Sequence, residues 1–193
     1  MKKSTWLIIA AVAVAAMWLI GRYNGMVTAD ETVNNKWADV ETQYQRRMDL
    51  IGNLVETCKG YADYEKDVFT SVIEARSKAT SINLTVDDLT EENMKKLQEA
   101  QAQLSGALSR LMAVAEQYPE LKGNEQFMNL QAQLEGTENR IAVARKEFNA
   151  VVKDYNLEVR TFPGNLLAGF FGFKQRAAFS AEEGAEKAVK VQF

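Results

Sequence analysis

The chain has 193 residues, 47% of them hydrophobic, which is enough apolar material for one packed domain of ordinary size. It carries 23 basic and 26 acidic side chains, for a net charge of −3. This balance argues against nucleic acid as a partner, because phosphate binding requires a surplus of positive charge. Histidine is absent and Cys58 is the sole cysteine. These two facts exclude the common zinc, haem and histidine-dependent nucleophile chemistries and any intrachain disulfide.

The N-terminal segment is a candidate membrane anchor. Residues 4–21 are uncharged and lie between Lys3 and Arg22. As a helix they would be about 27 Å long, close to the roughly 30 Å hydrocarbon core of a bilayer. Trp6 and Trp18 stand near the two ends, where indole rings favour the membrane interface. We therefore expect a transmembrane helix within residues 1–27.

A cleaved signal peptide is the competing interpretation of this segment, since Ala11, Ala13 and Ala15 give the small-residue spacing of a cleavage site. Cleavage there would leave an apolar region of only Trp6 to Ala10. It would also leave the apolar residues 17–20 exposed at the new N-terminus. We therefore favour a retained anchor.

The body, residues 28–162, shows the spacing of packed α-helices, with core residues recurring at alternating steps of three and four. The first stripe consists of Trp37, Val40, Tyr44, Arg47, Ile51, Leu54, Cys58, Tyr61, Glu65, Val68, Val72 and Ala75. The second consists of Leu97, Gln101, Leu104, Leu108, Leu111, Ala115 and Tyr118. The third consists of Phe127, Leu130, Leu134, Thr137, Ile141, Ala144, Phe148, Val151 or Val152, Tyr155, Val159 and Phe162. The stripes predict an all-α fold, with long antiparallel helices in an up-and-down bundle of three to four helices after the transmembrane helix.

Local signals predict where these helices begin and end. Residues 77–88 interrupt the first stripe, and Thr90, followed by two glutamates, is typical of a helix start. Pro119 ends the second stripe, and Asn124 is a candidate N-cap for the third helix. These signals predict short connections and therefore antiparallel neighbours.

Two glycines mark candidate bends in the long first helix. They are Gly52 and Gly60, and glycine weakens a helix interior by about 1 kcal/mol relative to alanine. A bend at Gly52 would divide the first helix and raise the helix count to four. Without a bend, a helix from Thr28 to Ser77 would be about 75 Å long.

Residues 163–193 contain an apolar, glycine-flanked segment followed by a tail. The segment holds Leu166, Leu167, Phe170, Phe171 and Phe173 within eight positions. Such a cluster either docks on the end of the bundle or lies on the membrane surface. We favour docking, because most apolar clusters are buried. Residues 181–193 have no strong period and are expected to be a mobile tail.

A polar cluster on the first helix would suit an anionic ligand or a partner helix. Its members are Gln43, Arg46, Arg47, Asp49 and Asn53. Arg47 and Glu65 fall on the apolar stripe, where a charge must find a partner or reach water. Arg145 on the third helix meets the same requirement if its side chain turns inward. We favour a structural polar network over a ligand site, because buried charges often set helix register.

No catalytic motif is present in the sequence. Carboxylate-bridged metal sites in helical bundles pair glutamate with a histidine three residues later, and this chain has no histidine. A phosphate-binding loop and a G-x-S-x-G nucleophile motif are also missing. Cys58 lies on the apolar stripe and is expected to be an inert, buried thiol. We therefore predict no enzyme activity, no cofactor and no metal.

Several short motifs, in their order and spacing, resemble the LemA family of bacterial membrane proteins. They include Tyr23-Asn24, RRMDLIGNLV at 46–55, KGYADYE at 59–65, Tyr118-Pro119 and Phe162-Pro163-Gly164. Gly52 stands where relatives commonly carry proline, which supports a bend there. Tyr64 stands where many carry histidine, so no chemistry in this chain depends on that histidine. The resemblance implies a single-pass N-terminal anchor and a four-helix up-and-down domain, in a family without an established enzymatic activity.

The functional hypothesis is a membrane-anchored, non-catalytic interaction or scaffold protein of the bacterial cell envelope, whose partner is another envelope protein or a second copy. No small-molecule substrate is implied. The alternative is a ligand- or lipid-responsive module that uses Arg46 and Arg47 or the segment around Phe170. The basic residues before the span slightly outweigh those after it, so we expect the bundle on the exported side of the inner membrane.

Overall fold

The fold is built around one very long helix. A computed structural model describes residues 3–61 and 65–180. Within these ranges the helices are α1 (Lys3–Thr57), α2 (Lys66–Ser81), α3 (Glu91–Ala115), α4 (Pro119–Lys122), α5 (Glu125–Arg160) and α6 (Gly164–Phe171). No strand occurs in the described ranges. The all-α prediction is therefore confirmed.

Helix α1 joins the apolar N-terminal segment to the bundle without a break. Its 55 residues correspond to about 82 Å at the rise of an α-helix. Large apolar side chains from Trp6 to Ile20 are exposed, whereas one face of α1 is buried from Met26 onward. Among the described helices, only α1 is long and apolar enough to cross a membrane. Its exposed apolar end is what a lipid-facing anchor requires.

Four of the helices form an up-and-down bundle, as predicted. Helix α1 runs away from the anchor and packs along α5, which returns beside it. Helix α2 comes back toward the anchor and packs along α3, which runs outward again. At the distal end the Tyr118 hydroxyl donates to Glu65 Oε1 at 3.0 Å. Nearer the anchor, the indole N–H of Trp37 donates to the Leu84 carbonyl at 2.9 Å.

The helix count of four arises from the turn after Thr57. Gly52, one of the two candidate bends, does not divide the first helix. Helix α1 runs unbroken through Gly52. The Nε of Arg76 donates to the Met48 carbonyl at 2.9 Å, and a Cβ at Gly52 would lie 3.4 Å from Arg76 Nη2. A side chain at position 52 would therefore contact the Arg76 guanidinium. The first helix instead ends close to Gly60, the other candidate.

The predicted N-caps are confirmed. Thr90 Oγ1 accepts a hydrogen bond from the Asn93 N–H at 3.3 Å at the start of α3. Asn124 Oδ1 accepts from the Phe127 N–H at 3.0 Å at the start of α5. Each side-chain oxygen satisfies one of the backbone donors that a helix start leaves unpaired.

Two predicted boundaries are wrong. Helix α2 continues to Ser81, inside the stretch predicted as a loop, because Ala79 is buried and extends the packed face. Phe162 was expected to complete the third stripe, but α5 ends at Arg160 and the Phe162 side chain is 75% exposed. The other members of that stripe are buried, with Val152 rather than Val151 facing the core.

The core consists of two apolar clusters stacked along the bundle. The distal cluster lies among α1, α2, α3 and α5. The cluster nearer the anchor is built largely on α1 and α5, and the chain after α6 helps to cover it. Phe179 is buried in this second cluster and Ala177 packs against it. Residues 181–193, predicted to be a mobile tail, lie outside the described residues.

Candidate functional site

A groove of about 980 Å³ opens between α3 and α5. Its floor is the inward face of α1. Side chains from all three helices line it, among them Tyr44, Arg47, Gln98, Ser105, Glu138 and Arg145. Residues 175–178 and Ser180 line its end nearer the anchor. The groove therefore combines a buried polar floor with a wall made by the chain's own C-terminal part.

Arg47 is the centre of the polar floor and is only 2% exposed. Its Nη1 donates to Gln101 Oε1 at 3.1 Å and its Nη2 donates to Ser105 Oγ at 2.6 Å, both on α3. Its Nε lies 2.9 Å from Glu138 Oε1 on α5, an ion pair in which the N–H is not aligned for a hydrogen bond. One guanidinium thus connects α1 to both α3 and α5.

The electrostatics of this floor are those of a structural network. Burial lowers the pKa of Arg47, and the charge of Glu138 opposes this effect. Burial raises the pKa of Tyr44 to about 12. At neutral pH Arg47 is charged and Tyr44 is neutral, so neither group exchanges a proton. The network can fix the register of three helices, but these two groups offer no general acid or base.

The second part of the site is the non-helical segment of residues 172–180, here termed the C-terminal strap. Two asparagines of α5 bind its backbone. Asn156 donates to the Arg176 carbonyl at 2.8 Å and accepts from the Arg176 N–H at 3.0 Å. Asn149 does the same with Phe179, at 2.9 and 2.8 Å. Each carboxamide satisfies both backbone groups of one strap residue.

The spacing of the two asparagines matches the rise of the strap. Seven residues of helix cover about 10.5 Å, and three extended residues cover about 10 Å. Gln98 on α3 repeats the pattern with Ser180, donating to its carbonyl at 2.9 Å and accepting from its N–H at 3.4 Å. The Tyr155 hydroxyl donates to the Lys174 carbonyl at 2.8 Å. The strap is therefore held largely through its backbone.

An aromatic pocket holds the side chain of Phe179, which is 6% exposed. Its ring centroid lies 5.6 Å from that of Phe148 and 6.1 Å from that of Trp37. The Arg145 guanidinium lies 4.5 Å from the same centroid, a cation–π contact. The pocket thus selects an aromatic side chain at this position of the strap.

Two aspartates hold the side chain of Arg176. Its Nη2 donates to Asp30 Oδ1 at 3.3 Å and to Asp87 Oδ1 at 2.9 Å. Burial acts to lower the pKa of Arg176, but the hydrogen bonds and charges of these carboxylates outweigh it and raise the pKa. The hydrogen bond to Asp87 is the shorter of the two and raises the pKa of Arg176 most, although Asp87 itself is exposed; Asp30 on α1 is the partly buried partner.

The structure separates the six residues singled out by the sequence analysis. Arg47 and Arg145 both lie at the groove. Glu65 lies at the distal end, bonded to Tyr118. The remaining three are exposed on α1, since successive helical residues point about 100° apart; they are Arg46, Asp49 and Asn53.

No role was predicted from sequence for four residues that form the strap contacts. They are Gln98, Asn149, Asn156 and Phe179. Asn149 and Asn156 carry a detectable signal, because they lie seven residues apart beside the apolar stripe in a helix where asparagine is disfavoured. Gln98 and Phe179 carry no such signal in the sequence, since their partners are distant in the chain.

The described residues offer neither a metal site nor a reactive thiol. Within 3–61 and 65–180, no group of three or more histidine, cysteine, aspartate or glutamate side chains could hold a metal ion. Cys58 is fully buried, and burial raises the pKa of its thiol to about 11. The thiol is therefore protonated at neutral pH, as expected for an inert core cysteine.

These features define an all-α chain with one helix able to cross a membrane, an up-and-down bundle and a groove occupied in part by its own strap. Comparison with known proteins gives the family. The LemA family profile matches residues 36–193. The chain belongs to the LemA family, which confirms the resemblance of its motifs.

Among the relatives are magnetosome proteins. MamQ 1 and MamQ 2 of Paramagnetospirillum magneticum are each 30% identical to this chain over 188 residues, covering 89% of it and 69% of their own length. MamQ of Magnetospirillum gryphiswaldense is 31% identical over 174 residues, covering 81% and 64%. Protein LemA of Metamycoplasma hominis is 22% identical over 164 residues, covering 85% and 71%.

Proposed function

We propose that this chain is a membrane-anchored, non-catalytic interaction protein of the bacterial envelope, and that the α3–α5 groove binds an extended segment of a protein partner. The observation that carries the proposal is the C-terminal strap. This segment already occupies part of the groove, with its backbone bound by Asn149, Asn156 and Gln98. In peptide recognition, main-chain hydrogen bonds give affinity and side-chain pockets give specificity.

The strap also indicates which segments the groove would prefer. Backbone contacts accept any residue other than proline, because proline lacks the N–H that an asparagine oxygen accepts. Selection among segments then comes from the aromatic pocket, which binds an aromatic side chain, and from Asp30, which pairs with a basic one. A preferred segment has an aromatic residue three positions after a basic one, as Arg176 and Phe179 are arranged.

The lining of the groove extends beyond the residues that touch the strap. Between α3 and α5 it also includes Ala102, Ser105 and Glu138. The buried charge of Arg47 in its floor is already paired with Glu138, so an incoming segment need not neutralise that charge, whereas the buried Tyr44 hydroxyl makes no hydrogen bond to the described residues. A partner, either another envelope protein or a second copy of this chain, can therefore bind without a matching buried charge.

Cross-linking in living cells tests this proposal. A photoreactive amino acid is placed in the full chain at Ala102, which is exposed and lines the groove, and in a matched control at Glu74, which is exposed on α2. We expect adducts heavier than the monomer at Ala102 and not at Glu74, with mass spectrometry identifying the partner. Recovery of the monomer alone, or the same adducts from both positions, would count against the groove.

The proposal also places the bundle on the exported side of the inner membrane. Lys2, Lys3 and the amino terminus slightly outweigh Arg22 and Lys36 on the other side of the span, which favours a cytoplasmic N-terminus. A reporter enzyme that is active only after export, fused to the C-terminus, tests this orientation. Reporter activity supports an exported bundle, and its lack would reverse the assignment.

A further inference from the structure

Helix α6 buries one narrow face and exposes large apolar side chains on the other. Gly164 and Ala168, one turn apart, are its buried residues. Phe170 is 82% exposed and Leu166 is 63% exposed, and Phe171 and the neighbouring Phe162 are exposed as well. The helix itself, GNLLAGFF, contains no charged residue. A water-facing surface of this composition is unusual for a soluble domain and marks an interaction site.

The position of α6 relative to the anchor identifies the partner of this surface. The Phe171 ring centroid lies 4.7 Å from that of Tyr23, which directly follows Arg22 at the end of the uncharged segment. Gly164 packs against Met26, one turn further along α1. Helix α6 therefore lies beside the first turn of α1 that leaves the span.

The exposed apolar surface is continuous from the span to α6. Large apolar side chains are exposed along α1 up to Ile20, and the partly exposed Tyr23 connects them to Phe171. The Arg22 guanidinium lies 5.7 Å from the Trp18 ring centroid, which puts a cation and an indole at the level where headgroups begin. Exposed basic residues flank α6 at Arg160 and Lys174. Aromatic and aliphatic side chains between cations are the composition of a membrane-interface helix.

We propose that α6 is a second membrane contact, which inserts Leu166, Phe170 and Phe171 into the headgroup region of the bilayer that α1 crosses. The inference is independent of the groove and rests on the insertion of α1. Anchored at two places, the bundle is held at a defined height and rotation above the membrane rather than turning freely on one helix. The groove between α3 and α5 then keeps a fixed orientation toward the membrane surface.

Depth-sensitive fluorescence in vesicles tests this contact. The full chain is reconstituted into vesicles of phosphatidylcholine and phosphatidylglycerol, with a cysteine introduced at Phe170 and labelled with a polarity-sensitive dye. The buried Cys58 does not compete for the label. Matched chains carry the label at Ile73, exposed on α2, and at Val14 within the span. We expect reduction of the dye at position 170 by aqueous dithionite to be about tenfold slower than at position 73, together with quenching by spin-labelled lipid.

Three results would overturn the inference. Equal dithionite reduction at positions 170 and 73 would mean that α6 faces water. Protection from dithionite without quenching by spin-labelled lipid would mean that protein, such as a second copy, covers α6. Free access to position 14 would mean that α1 does not cross the bilayer, which removes the basis for the second contact.

Discussion

At the scale of single residues, Arg47 is the side chain on which three helices converge. Its position on the apolar stripe could be recognised from sequence, because a charge at a core register must be paired. Its partners could not, since Gln101, Ser105 and Glu138 are far away in the chain. Their approach depends on how three helices are rotated against one another, and periodicity does not determine that rotation.

A double-mutant cycle tests whether the ion pair stabilises the bundle. Glu138→Ala removes the carboxylate nearest to a buried charge and is expected to lower the free energy of unfolding by about 2 kcal/mol. In an Arg47→Met background the same change should cost less than about 0.5 kcal/mol, because no buried charge is left unpaired. Denaturant unfolding of the four chains gives these values. Equal losses in both backgrounds would show that Glu138 acts independently of Arg47.

The thiol of Cys58 gives a second test at this scale. Burial raises its pKa to about 11, so the folded chain holds the thiol proton at pH values where an unfolded chain loses it. We expect no alkylation by iodoacetamide in the folded protein at pH 8.5, about the pKa of a free cysteine, and rapid alkylation after unfolding. The same shift removes stability as the pH rises through 9 toward 11. Fast alkylation of the folded chain at neutral pH would contradict a buried Cys58.

At the scale of elements, the heptad stripes and N-caps predicted most of the helices. The stripe of α5 is buried from Phe127 to Val159, and both predicted caps form. Of the two candidate bends, the one at Gly52 does not occur, and α1 ends close to Gly60. The long α1 was not anticipated as one helix, because the anchor and the first bundle helix have different apolar patterns.

Two glycine substitutions distinguish helix propensity from packing. A Cβ at Gly106, in the middle of α3, would meet no atom within 4 Å, so Gly106→Ala should stabilise the chain by about 1 kcal/mol. Gly52→Ala should gain less, because its Cβ would meet Arg76 Nη2 at 3.4 Å, the near edge of ordinary van der Waals contact. Thermal unfolding of both variants provides the comparison. An equal or larger gain at Gly52 would mean that the Arg76 contact does not limit that position.

At the scale of the whole molecule, the C-terminal strap belongs both to the core and to the groove. It completes the core near the anchor through Phe179 and at the same time occupies the groove proposed for a partner. This site could not be predicted from sequence, because it is assembled from α3, α5 and a non-helical segment. The seven-residue spacing of Asn149 and Asn156 is its one signal in the sequence, and no role was predicted from it.

Peptide titration tests most directly whether the groove is a peptide-binding site. Phe179→Ala weakens the binding of the strap to the groove and leaves the three carboxamides that bind its backbone in place, those of Gln98, Asn149 and Asn156. A labelled peptide with the sequence of residues 172–180 is titrated against the full chain in lipid nanodiscs, as wild type, as Phe179→Ala and as Phe179→Ala with Asn149→Ala. A fourth chain combines Phe179→Ala with Asn139→Ala, an exposed asparagine of the same helix.

We expect the peptide to bind the Phe179→Ala chain more tightly than the wild type and to raise the unfolding temperature of that variant. Asn149→Ala removes two hydrogen bonds and should weaken that binding about thirtyfold, at about 1 kcal/mol for each bond. Asn139→Ala should leave it unchanged. No binding to Phe179→Ala, or equal binding with and without Asn149, would contradict a peptide-binding groove.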